Sequence, residues 1–560
     1  MVHLMKRDVR TTPTSERSFL AGKTECVFEP PIAPSGHSFV TVLEMFPNSH
    51  SGDSHAKAAG KKFRFTLQVS LAYNYCKFFK IEAITQRKRM AVSEGNAHII
   101  GSGPSGMACA YTLAKGGHSS TVITEEKDVG GLCQTIEFSG YLFDIGGHRF
   151  LSKSSVINSI WKEVLGDDLL KVRRLSRIFY RKRFFNYPLS FFNTFRNLGP
   201  LESFRCIASY GYCRLTKPGD DRTFEGWIIN RFGKRLYKIF FDTYTRKVWA
   251  VPCKDISADW AVQRIRGLSL RVAIKKALLG ARSRGPKTLA EEFLYPKRGP
   301  GQFYEEMERS LKGLGTRFLF EQRVVQVNHG DGHVVSLGVR DRSGPVGHEI
   351  PVSYLFSSMP LTELIQSLNP PPPENVRLAA SKLRFRSFLV VNVILDCETL
   401  FPDQWIYVHS PDVKLGRIQN YKNWSPCMTV NPERTSLGLE YFCTEGDELW
   451  EMNDVDLIDF AIEELEKIGI VSRKHLINGF VVRRKNVYPV YSLDYQRSLD
   501  VIREYLSRFD NLQTMGRAGL FRYDNSDRAM LSGIGAARNY MDKSSYNLWS
   551  QGPQQEYLEM

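Results

Sequence analysis

The pattern of apolar and polar residues separates an N-terminal segment without lasting periodicity from a longer segment of regular elements. Residues 1–94 mix Ser, Pro, Gly and basic residues, and only 63–79 are more apolar. Such a composition buries too little apolar surface to order the segment throughout, so we predict a largely disordered extension. Over 95–543, short apolar runs alternate with stretches of helical period, which predicts one folded region followed by a tail over 544–560.

The folded region opens with the order strand, glycine-rich turn, helix and strand. Residues 98–100 end a short apolar run before the turn, 107–114 have the pattern of a helix, and 120–124 have that of the next strand. Three glycines at G-x-G-x-x-G spacing form the turn, and a glycine pair follows the second strand: Gly101, Gly103, Gly106, Gly130 and Gly131. In a dinucleotide-binding fold such glycines give the tight turn, backbone approach to a pyrophosphate, and packing of helix on strand. Because a helix N-terminus also attracts phosphate, this unit is predicted to bind a nucleotide.

The residue that would bind the ribose hydroxyls is predicted less directly. At the expected distance from Gly106 and Gly130 the chain has Thr124, followed by Glu125 and Glu126. A carboxylate accepts two hydroxyl hydrogen bonds, which a threonine cannot do as well. Either the strand end shifts by one residue and Glu125 binds the ribose, or the contact is weaker; we assign Glu125.

The remaining pattern predicts an α/β protein. A discontinuous, Rossmann-like domain is predicted in three segments, at about 95–175, 290–360 and 480–543. A helical insertion is predicted at about 190–285, and an antiparallel substrate sheet at about 375–480. Ser152 is predicted to cap a helix that ends at Gly166. Residues 318–327 and 334–340 are predicted to pair as a hairpin.

Composition and charge narrow the function classes. The chain has 560 residues, with 42% hydrophobic and 24% charged residues, as is typical of a soluble globular protein. No apolar run approaches the ~18 residues of a membrane-spanning helix. The ten cysteines form no C-x-x-C pair or metal-ligand spacing, so we predict a reduced, cytoplasmic protein without a metal site. The net charge of +17 favours anionic partners, and because the basic residues are spread without a nucleic-acid-binding motif, phosphate-bearing small molecules fit better than nucleic acid.

Several segments carry known motifs, in the same order along the chain. The stretch 126–148 resembles the flavin-binding stretch of the amine-oxidase and protoporphyrinogen-oxidase superfamily of FAD enzymes. Residues 146–150, GGHRF, resemble the loop of UDP-galactopyranose mutases whose histidine lies against the isoalloxazine ring. Four further segments resemble motifs around the mutase substrate: 247–252 with Trp260 and Arg264, 416–426, 488–491 and 516–523.

The resemblance implies noncovalently bound FAD, with its pyrophosphate over the glycine-rich turn. It implies that the reduced flavin is the nucleophile in a pyranose/furanose isomerisation of a nucleotide sugar, and that an electron donor such as NAD(P)H reduces it. His148 would position the flavin, with Gly147, Gly516 and Asp527 among the other cofactor contacts. Guanidinium groups suit a diphosphate because their fork pairs with phosphate oxygens. The substrate would be bound by two arginines and two tyrosines: Arg264, Arg417, Tyr488 and Tyr523.

Two departures from the mutase pattern leave other functions open. Thr124 stands where a glutamate is usual, and Asp527 is followed by Arg528 where a histidine is usual. The alternatives are an FAD-dependent oxidoreductase of the amine-oxidase or protoporphyrinogen-oxidase type, and a flavin-binding protein without activity. Paired arginines in the cleft would favour an anionic nucleotide substrate, whereas an apolar aromatic cage would favour an amine or a porphyrin. Tyr488 and Tyr523 are equally compatible with core aromatics.

Overall fold

The computed structural model describes residues 97–265, 292–342, 344 and 347–550. All of them belong to one unit, Ala91–Met560. The extension predicted over 1–94 lies outside the described residues, as do residues 551–560 of the predicted tail. Within the described ranges, no helix has the length and apolar character needed to cross a membrane.

A five-stranded parallel sheet carries the nucleotide-binding fold. Its central strands are buried along their whole length, as expected where helices cover both faces of a parallel sheet. The strand order is Leu512–Thr514, Tyr354–Ser357, Ala97–Ile100, Ser120–Ile123 and Arg317–Leu319. Strands that are distant in sequence therefore lie side by side, which confirms the discontinuous, Rossmann-like α/β fold.

A seven-stranded sheet, antiparallel except for one pair, forms the second large sheet. One face of its longest buried strand, Phe385–Leu395, packs against helix Asp454–Ile468, and the other faces aromatic side chains around Tyr488. The single parallel pair joins Trp405–Val408 to Ser176–Tyr180. The full strand order is Leu476–Pro489, Phe385–Leu395, Thr435–Cys443, Arg417–Asn420, Trp405–Val408, Ser176–Tyr180 and Arg183–Asn186.

A four-stranded sheet and two ribbons are the other β-structures of the described residues. The sheet has the order Gly347–Pro351, His333–Asp341, Gln322–Gly330 and Leu368–Asn369. The ribbons pair Thr135–Phe138 with Tyr141–Asp144, and Leu169–Arg173 with Glu292–Pro296. The hairpin predicted to start at residue 318 begins only at Gln322, because Arg317–Leu319 pairs with Ser120–Ile123 in the parallel sheet.

The described helices pack in three groups. Those that share cores with the parallel and four-stranded sheets are Pro104–Lys115, Ser155–Leu165, Gly301–Gly313, Leu361–Ser367, Glu374–Lys382, Tyr495–Leu506, Gly516–Gly519 and Ser526–Asp542. Those of the helical insertion are Phe191–Leu198, Pro200–Thr216, Phe224–Phe232, Lys234–Tyr237, the π-helical turn Lys238–Asp242, Thr243–Trp249 and Ala258–Ile265. Against the seven-stranded sheet lie Glu448–Glu451 and Asp454–Ile468. Short 3₁₀ turns lie at Gly131–Cys133, Gly166–Asp168, Cys253–Asp255, Tyr421–Asn423, Pro426–Met428 and Arg473–His475.

Helix Ser526–Asp542 closes the nucleotide-binding fold by packing along helix Pro104–Lys115. A Cβ added at Gly533 would lie 2.0 Å from the backbone oxygen of Ser105, so only glycine permits this helix contact. Met530 joins the core that the two helices share. The nucleotide-binding fold is therefore completed by the C-terminal part of the described chain.

The helix before Gly166 begins later than the sequence predicts. It spans Ser155–Leu165, and its cap is Ser154, whose hydroxyl accepts a hydrogen bond from the Ile157 amide at 3.4 Å. Ser152 instead donates its hydroxyl to the Asp527 carboxylate at 3.1 Å. The predicted cap therefore contacts the C-terminal helix.

Candidate active site

The glycine-rich turn after strand Ala97–Ile100 has a geometry that requires glycine. Gly101 has φ +95°, and a Cβ added at Gly106 would lie 1.8 Å from the Gly101 carbonyl oxygen. Helix Pro104–Lys115 therefore packs directly on the turn. By contrast, a Cβ at Gly103 would meet nothing within 4 Å among the residues described. This opening lies at the helix N-terminus, whose first-turn amides and dipole suit a phosphate.

Three other predicted glycines adjoin this turn. Gly131 has φ +56°, and its Cβ would lie 3.1 Å from the Cα of Gly103. The Gly130 amide donates to the Ser102 carbonyl at 2.8 Å. Gly516 has φ +79°, and its Cβ would lie 2.2 Å from the hydroxyl oxygen of Ser105. The structure thus brings six predicted residues around one helix N-terminus: Gly101, Gly103, Gly106, Gly130, Gly131 and Gly516.

A loop with Gly147 and His148 follows strand Tyr141–Asp144 and contacts the seven-stranded sheet. The Gly147 amide donates to Oε1 of Glu440 at 3.2 Å. A Cβ at Gly147 would lie 2.6 Å from Nε2 of Gln419, so the sheet approaches the loop backbone itself. The wholly buried Glu440 therefore anchors this loop.

His148 is held in one tautomer and is neutral. Its Nε2 lies 2.9 Å from the Ile145 carbonyl oxygen, which can only accept, so Nε2 carries the proton. Its Nδ1 faces the Cys133 thiol at 3.7 Å. Burial lowers the pKa of His148 to about 4, and the positive charges of Arg517 and Arg417 act in the same direction. At neutral pH this side chain is suited to positioning a cofactor rather than supplying a proton.

Arg417 and Glu440 form an ion pair between neighbouring strands beside this loop. The Glu440 side chain is fully buried, and that of Arg417 is 18% exposed. Nη2 of Arg417 donates to the Tyr488 hydroxyl at 3.0 Å. Burial raises the pKa of Tyr488, so the phenol keeps its own proton while it accepts this bond. Two partners therefore set the orientation of the Arg417 guanidinium.

A second guanidinium lies on two stacked tyrosine rings. Tyr488 and Tyr523 stack with centroids 5.5 Å apart, and Arg517 lies 5.0 and 4.2 Å from their respective centroids. Arg517 donates from Nε to the Val487 carbonyl at 2.8 Å and from Nη1 to the Asp524 carbonyl at 3.0 Å. Its Nη2 is buried and has no hydrogen-bond partner in the described part of the chain. We call this contiguous group the arginine–tyrosine cluster: Arg417, Glu440, Tyr488, Arg517 and Tyr523.

The residues near the expected ribose position differ in burial. Glu125, the predicted ligand, is exposed, and its carboxylate lies 3.7 Å from Nε of Arg323. Thr124 is buried, and its hydroxyl oxygen accepts a hydrogen bond from Ser102 of the glycine-rich turn at 3.0 Å. Glu126 is partly buried and lies 3.4 Å from the Arg484 guanidinium. The assignment of Glu125 stays a prediction, and Thr124 is the residue that contacts the turn.

Two further predicted residues lie on helices. Asp527 is buried in the first turn of Ser526–Asp542, where it accepts the hydrogen bond from Ser152. Arg264 belongs to helix Ala258–Ile265, but its side chain lies outside what the structure describes. Its predicted contact with the substrate therefore stays a prediction.

Glu440 and Arg517 are the members of the cluster that sequence reasoning missed. Glu440 is one carboxylate inside the otherwise apolar or small-residue strand Thr435–Cys443, and a buried charge in a strand is a signal for a partner. Arg517 directly follows Gly516 in a segment already marked by resemblance. Its interaction with two tyrosine rings could not be derived from that spacing.

Comparison with known proteins identifies the family. Residues 104–539 match the flavin-containing amine oxidoreductases, and the chain belongs to this family. The crystal structure of a reduced UDP-galactopyranose mutase has a TM-score of 0.71, with 20% identity, over 82% of this chain and 97% of that one. A proposed protoporphyrinogen oxidase from Exiguobacterium sp. 255-15 has a TM-score of 0.61, with 16% identity, over 81% of this chain and 99% of that one.

A shorter match is found with a curated protein. A protein of the nifH2 3′ region of Methanothermococcus thermolithotrophicus is 44% identical over 50 residues. Those residues are 9% of this chain and 48% of that protein, so the match spans about half the length of the curated relative.

The protein is an FAD-dependent enzyme of the amine-oxidase superfamily. One observation on the described residues fits this cofactor. The opening at Gly103 lies where a pyrophosphate meets a helix N-terminus.

Proposed function

We propose that the protein is a sugar-nucleotide mutase of the UDP-galactopyranose mutase type, which interconverts pyranose and furanose rings with reduced, noncovalently bound FAD. The arginine–tyrosine cluster beside His148 is the observation that carries this proposal. The cluster contains two guanidinium groups and one carboxylate, which pairs with Arg417, so it carries a net positive charge. A positive, hydrogen-bonding surface favours a diphosphate over a neutral or cationic substrate.

In this reaction Arg417 and Arg517 contribute differently to binding of the anionic nucleotide. Glu440 and Tyr488 orient Arg417 before the ligand arrives. Arg517 has Nε and Nη1 fixed by backbone carbonyls and keeps Nη2 for a ligand. Because both groups are already ordered, binding costs little side-chain entropy. Arg264, as the resemblance implies, supplies a further guanidinium to the diphosphate.

The bound cofactor, once reduced, supplies the nucleophile for the anomeric carbon. The glycine-rich turn binds its pyrophosphate, and the loop of Gly147 and His148 positions its ring. The phenols of Tyr488 and Tyr523 donate to the substrate phosphates, and their rings exclude water from the cleft. An electron donor such as NAD(P)H keeps the flavin reduced.

The test is incubation of the chemically reduced protein with UDP-galactopyranose and a panel of other UDP-sugars, with products separated by chromatography. We expect each reduced flavin to produce many molecules of isomerised sugar nucleotide before it must be reduced again, and the oxidised protein to produce none. Denaturation should release intact FAD if the cofactor is noncovalent. Arg517→Lys is the matched variant, since it keeps the charge and loses the planar fork. Reduced wild-type protein that isomerises no member of the panel contradicts the proposal.

A second function is supported by the aromatic side of the same site. Trp249, Phe388 and Phe442 surround the ring of Tyr488, with centroids 5.4 to 6.4 Å away. Such a wall suits the apolar part of an amine or a porphyrinogen, which would give its hydride to the oxidised flavin. Anaerobic bleaching of the flavin by such a substrate, without isomerisation of any UDP-sugar, would support an oxidoreductase instead.

A further inference from the structure

The outer side of helix Pro200–Thr216 exposes a concentration of large apolar side chains. Among the residues described, seven of nineteen exposed large hydrophobic side chains lie within residues 192–215. Leu215 is 88% exposed, Phe204 69%, and Leu201 and Tyr212 64% each. Exposed apolar residues scattered singly need no explanation, but a contiguous patch marks an interaction surface. We call it the insertion face: Leu201, Phe204, Ile207, Tyr212 and Leu215.

The periodicity of the helix places four of these five side chains on the side opposite to its buried residues. These four are spaced by whole or nearly whole helical turns, so they share one side of the helix: Leu201, Phe204, Tyr212 and Leu215. The buried residues of the same helix lie on its inner side: Ser203, Cys206 and Cys213. The inner side already packs on the protein, and the insertion face is therefore not needed for the fold.

The helix that bears the insertion face is tied firmly to its neighbours. Glu202 accepts a two-pronged contact from Arg235, with Nη2 to Oε2 at 2.8 Å. A Cβ at Gly233 would lie 2.8 Å from the Cα of Tyr210, so the backbones are in direct contact. The insertion face is thus a fixed surface about 21 Å long from Leu201 to Leu215, given the 1.5 Å rise of each residue.

The charges in this part of the chain are almost all positive. Between residues 181 and 218 the chain has seven basic residues and one acidic residue, Glu202, which Arg235 already neutralises. The basic residues include the tip of a hairpin and the ends of both helices: Arg181, Lys182, Arg183, Arg196, Arg205, Arg214 and Lys217. The segment of the chain that bears the insertion face is therefore rich in cations as well as in exposed apolar side chains.

We propose that the insertion face is a peripheral binding surface for bilayers rich in anionic lipids. Leu201, Phe204 and Leu215 enter the boundary between headgroups and acyl chains, and the surrounding cations bind headgroup phosphates. Charge complementarity selects this partner. In a dimer about a twofold axis, the same cations of the two copies would face each other, and their repulsion would disfavour the contact. Nucleic acid would use the cations and the rings of Phe204 and Tyr212, but it would leave Leu201 and Leu215 exposed to water, whereas a bilayer buries all four.

The experiment is sedimentation of the full chain with phosphatidylcholine vesicles that contain about 30% phosphatidylserine, compared with pure phosphatidylcholine vesicles. We expect binding to the anionic vesicles that weakens as salt is raised. The variant F204Q/L215Q should bind at least about tenfold more weakly, since two apolar side chains no longer leave water. Val455→Gln is the matched control, because Val455 is 69% exposed but lies on another helix, Asp454–Ile468. This variant should bind the anionic vesicles as the wild type does.

Flavin absorbance and thermal melting show that the variants are folded. If F204Q/L215Q misfolds, R196Q/K217N tests the charges alone and should lower binding to the anionic vesicles specifically. The proposal is overturned by a wild type that stays in the supernatant, or by folded variants that sediment as the wild type does. It is equally overturned if light scattering shows a dimer that F204Q/L215Q dissociates, or if an oligonucleotide binds the face and vesicles do not.

Discussion

Arg417 and Glu440 face each other across neighbouring strands, and their ion pair lies directly beneath the loop of Gly147 and His148. The carboxylate also accepts the Gly147 amide, so one buried anion orients both a substrate-binding cation and the loop proposed to position the flavin. A buried pair of this kind contributes little net stability when intact. Loss of one partner is costly because the other charge stays buried.

Glu440→Gln should therefore destabilise the protein by about 3–5 kcal/mol, the typical cost of breaking a buried pair. It should also weaken binding of UDP-sugars, because Arg417 loses the group that orients it. Urea unfolding and calorimetric titration with UDP measure the two effects.

Asp403→Asn is the control for this prediction. Asp403 is fully buried and pairs with Arg177 in the same sheet, away from the cluster. It should lower stability and leave UDP binding unchanged. If Glu440→Gln loses stability but binds UDP as the wild type does, Arg417 is not the diphosphate ligand.

Gly106→Ala and Gly103→Ala should both reduce flavin content, for different reasons. A methyl group at Gly106 collides with the Gly101 carbonyl, so overpacking of about 1–3 kcal/mol or more should destabilise the flavin-free protein as well. A methyl group at Gly103 meets open space, so only the flavin-bound form should suffer. Melting of the apoprotein and holoprotein separates the two. Normal flavin content in Gly103→Ala would show that the pyrophosphate lies elsewhere.

Arg417→Lys and Arg264→Ala should weaken binding of UDP-sugars and leave flavin content unchanged. A charge-assisted hydrogen bond is typically worth about 1.5–3 kcal/mol, which corresponds to about 10- to 100-fold in affinity. Lysine at 417 keeps a cation beside Glu440 and so avoids an unpaired buried carboxylate. Affinity unchanged in both variants would contradict the mutase proposal and favour an oxidoreductase.

His148→Gln should reduce the pH dependence of stability. The folded protein lowers the pKa of His148 to about 4 from 6.5, chiefly through burial. Between these values the unfolded chain binds a proton that the folded protein does not, so stability falls as pH falls from 6.5 to 4. The variant should lose less stability across this window, by up to about 1.4 kcal/mol per pH unit. Urea unfolding at several pH values measures the slope.

Asp144 acts in the opposite direction in the same window. Burial raises its pKa to about 7, so the folded protein holds a proton that the unfolded chain releases, and this contribution is lost as pH rises. Asp144 is present in both the wild type and His148→Gln. The difference between their slopes of unfolding free energy against pH therefore reports the contribution of His148. Equal slopes would show that His148 does not titrate differently on folding.

The parts of the fold that could be predicted are those that depend on local sequence. The glycine-rich turn requires a positive φ at Gly101 and a close contact at Gly106, and both requirements act within a few residues. Ser152 illustrates what could not be predicted. It has the residue type and position of a helix cap, yet its hydroxyl bonds to Asp527, which only the tertiary fold brings near.

The same distinction applies to the candidate site. Arg417 and Tyr488 could be named from their segments, but the role of Glu440 depends on strand register. In an antiparallel pair a shift of one residue would turn its carboxylate to the other face. The stack of Arg517 on Tyr488 and Tyr523 likewise depends on how strand Leu476–Pro489 meets the helix at Gly516.

The close contact of Gly533 with Ser105 has a consequence for synthesis of the chain. The glycine-rich turn is synthesised before the helix that covers it and before the edge strand Leu512–Thr514. Domains acquire stable structure when the contacts between distant segments can form. We therefore expect a nascent chain to retain FAD only after residues 512–542 have been synthesised, because these residues complete the sheet and cover the turn.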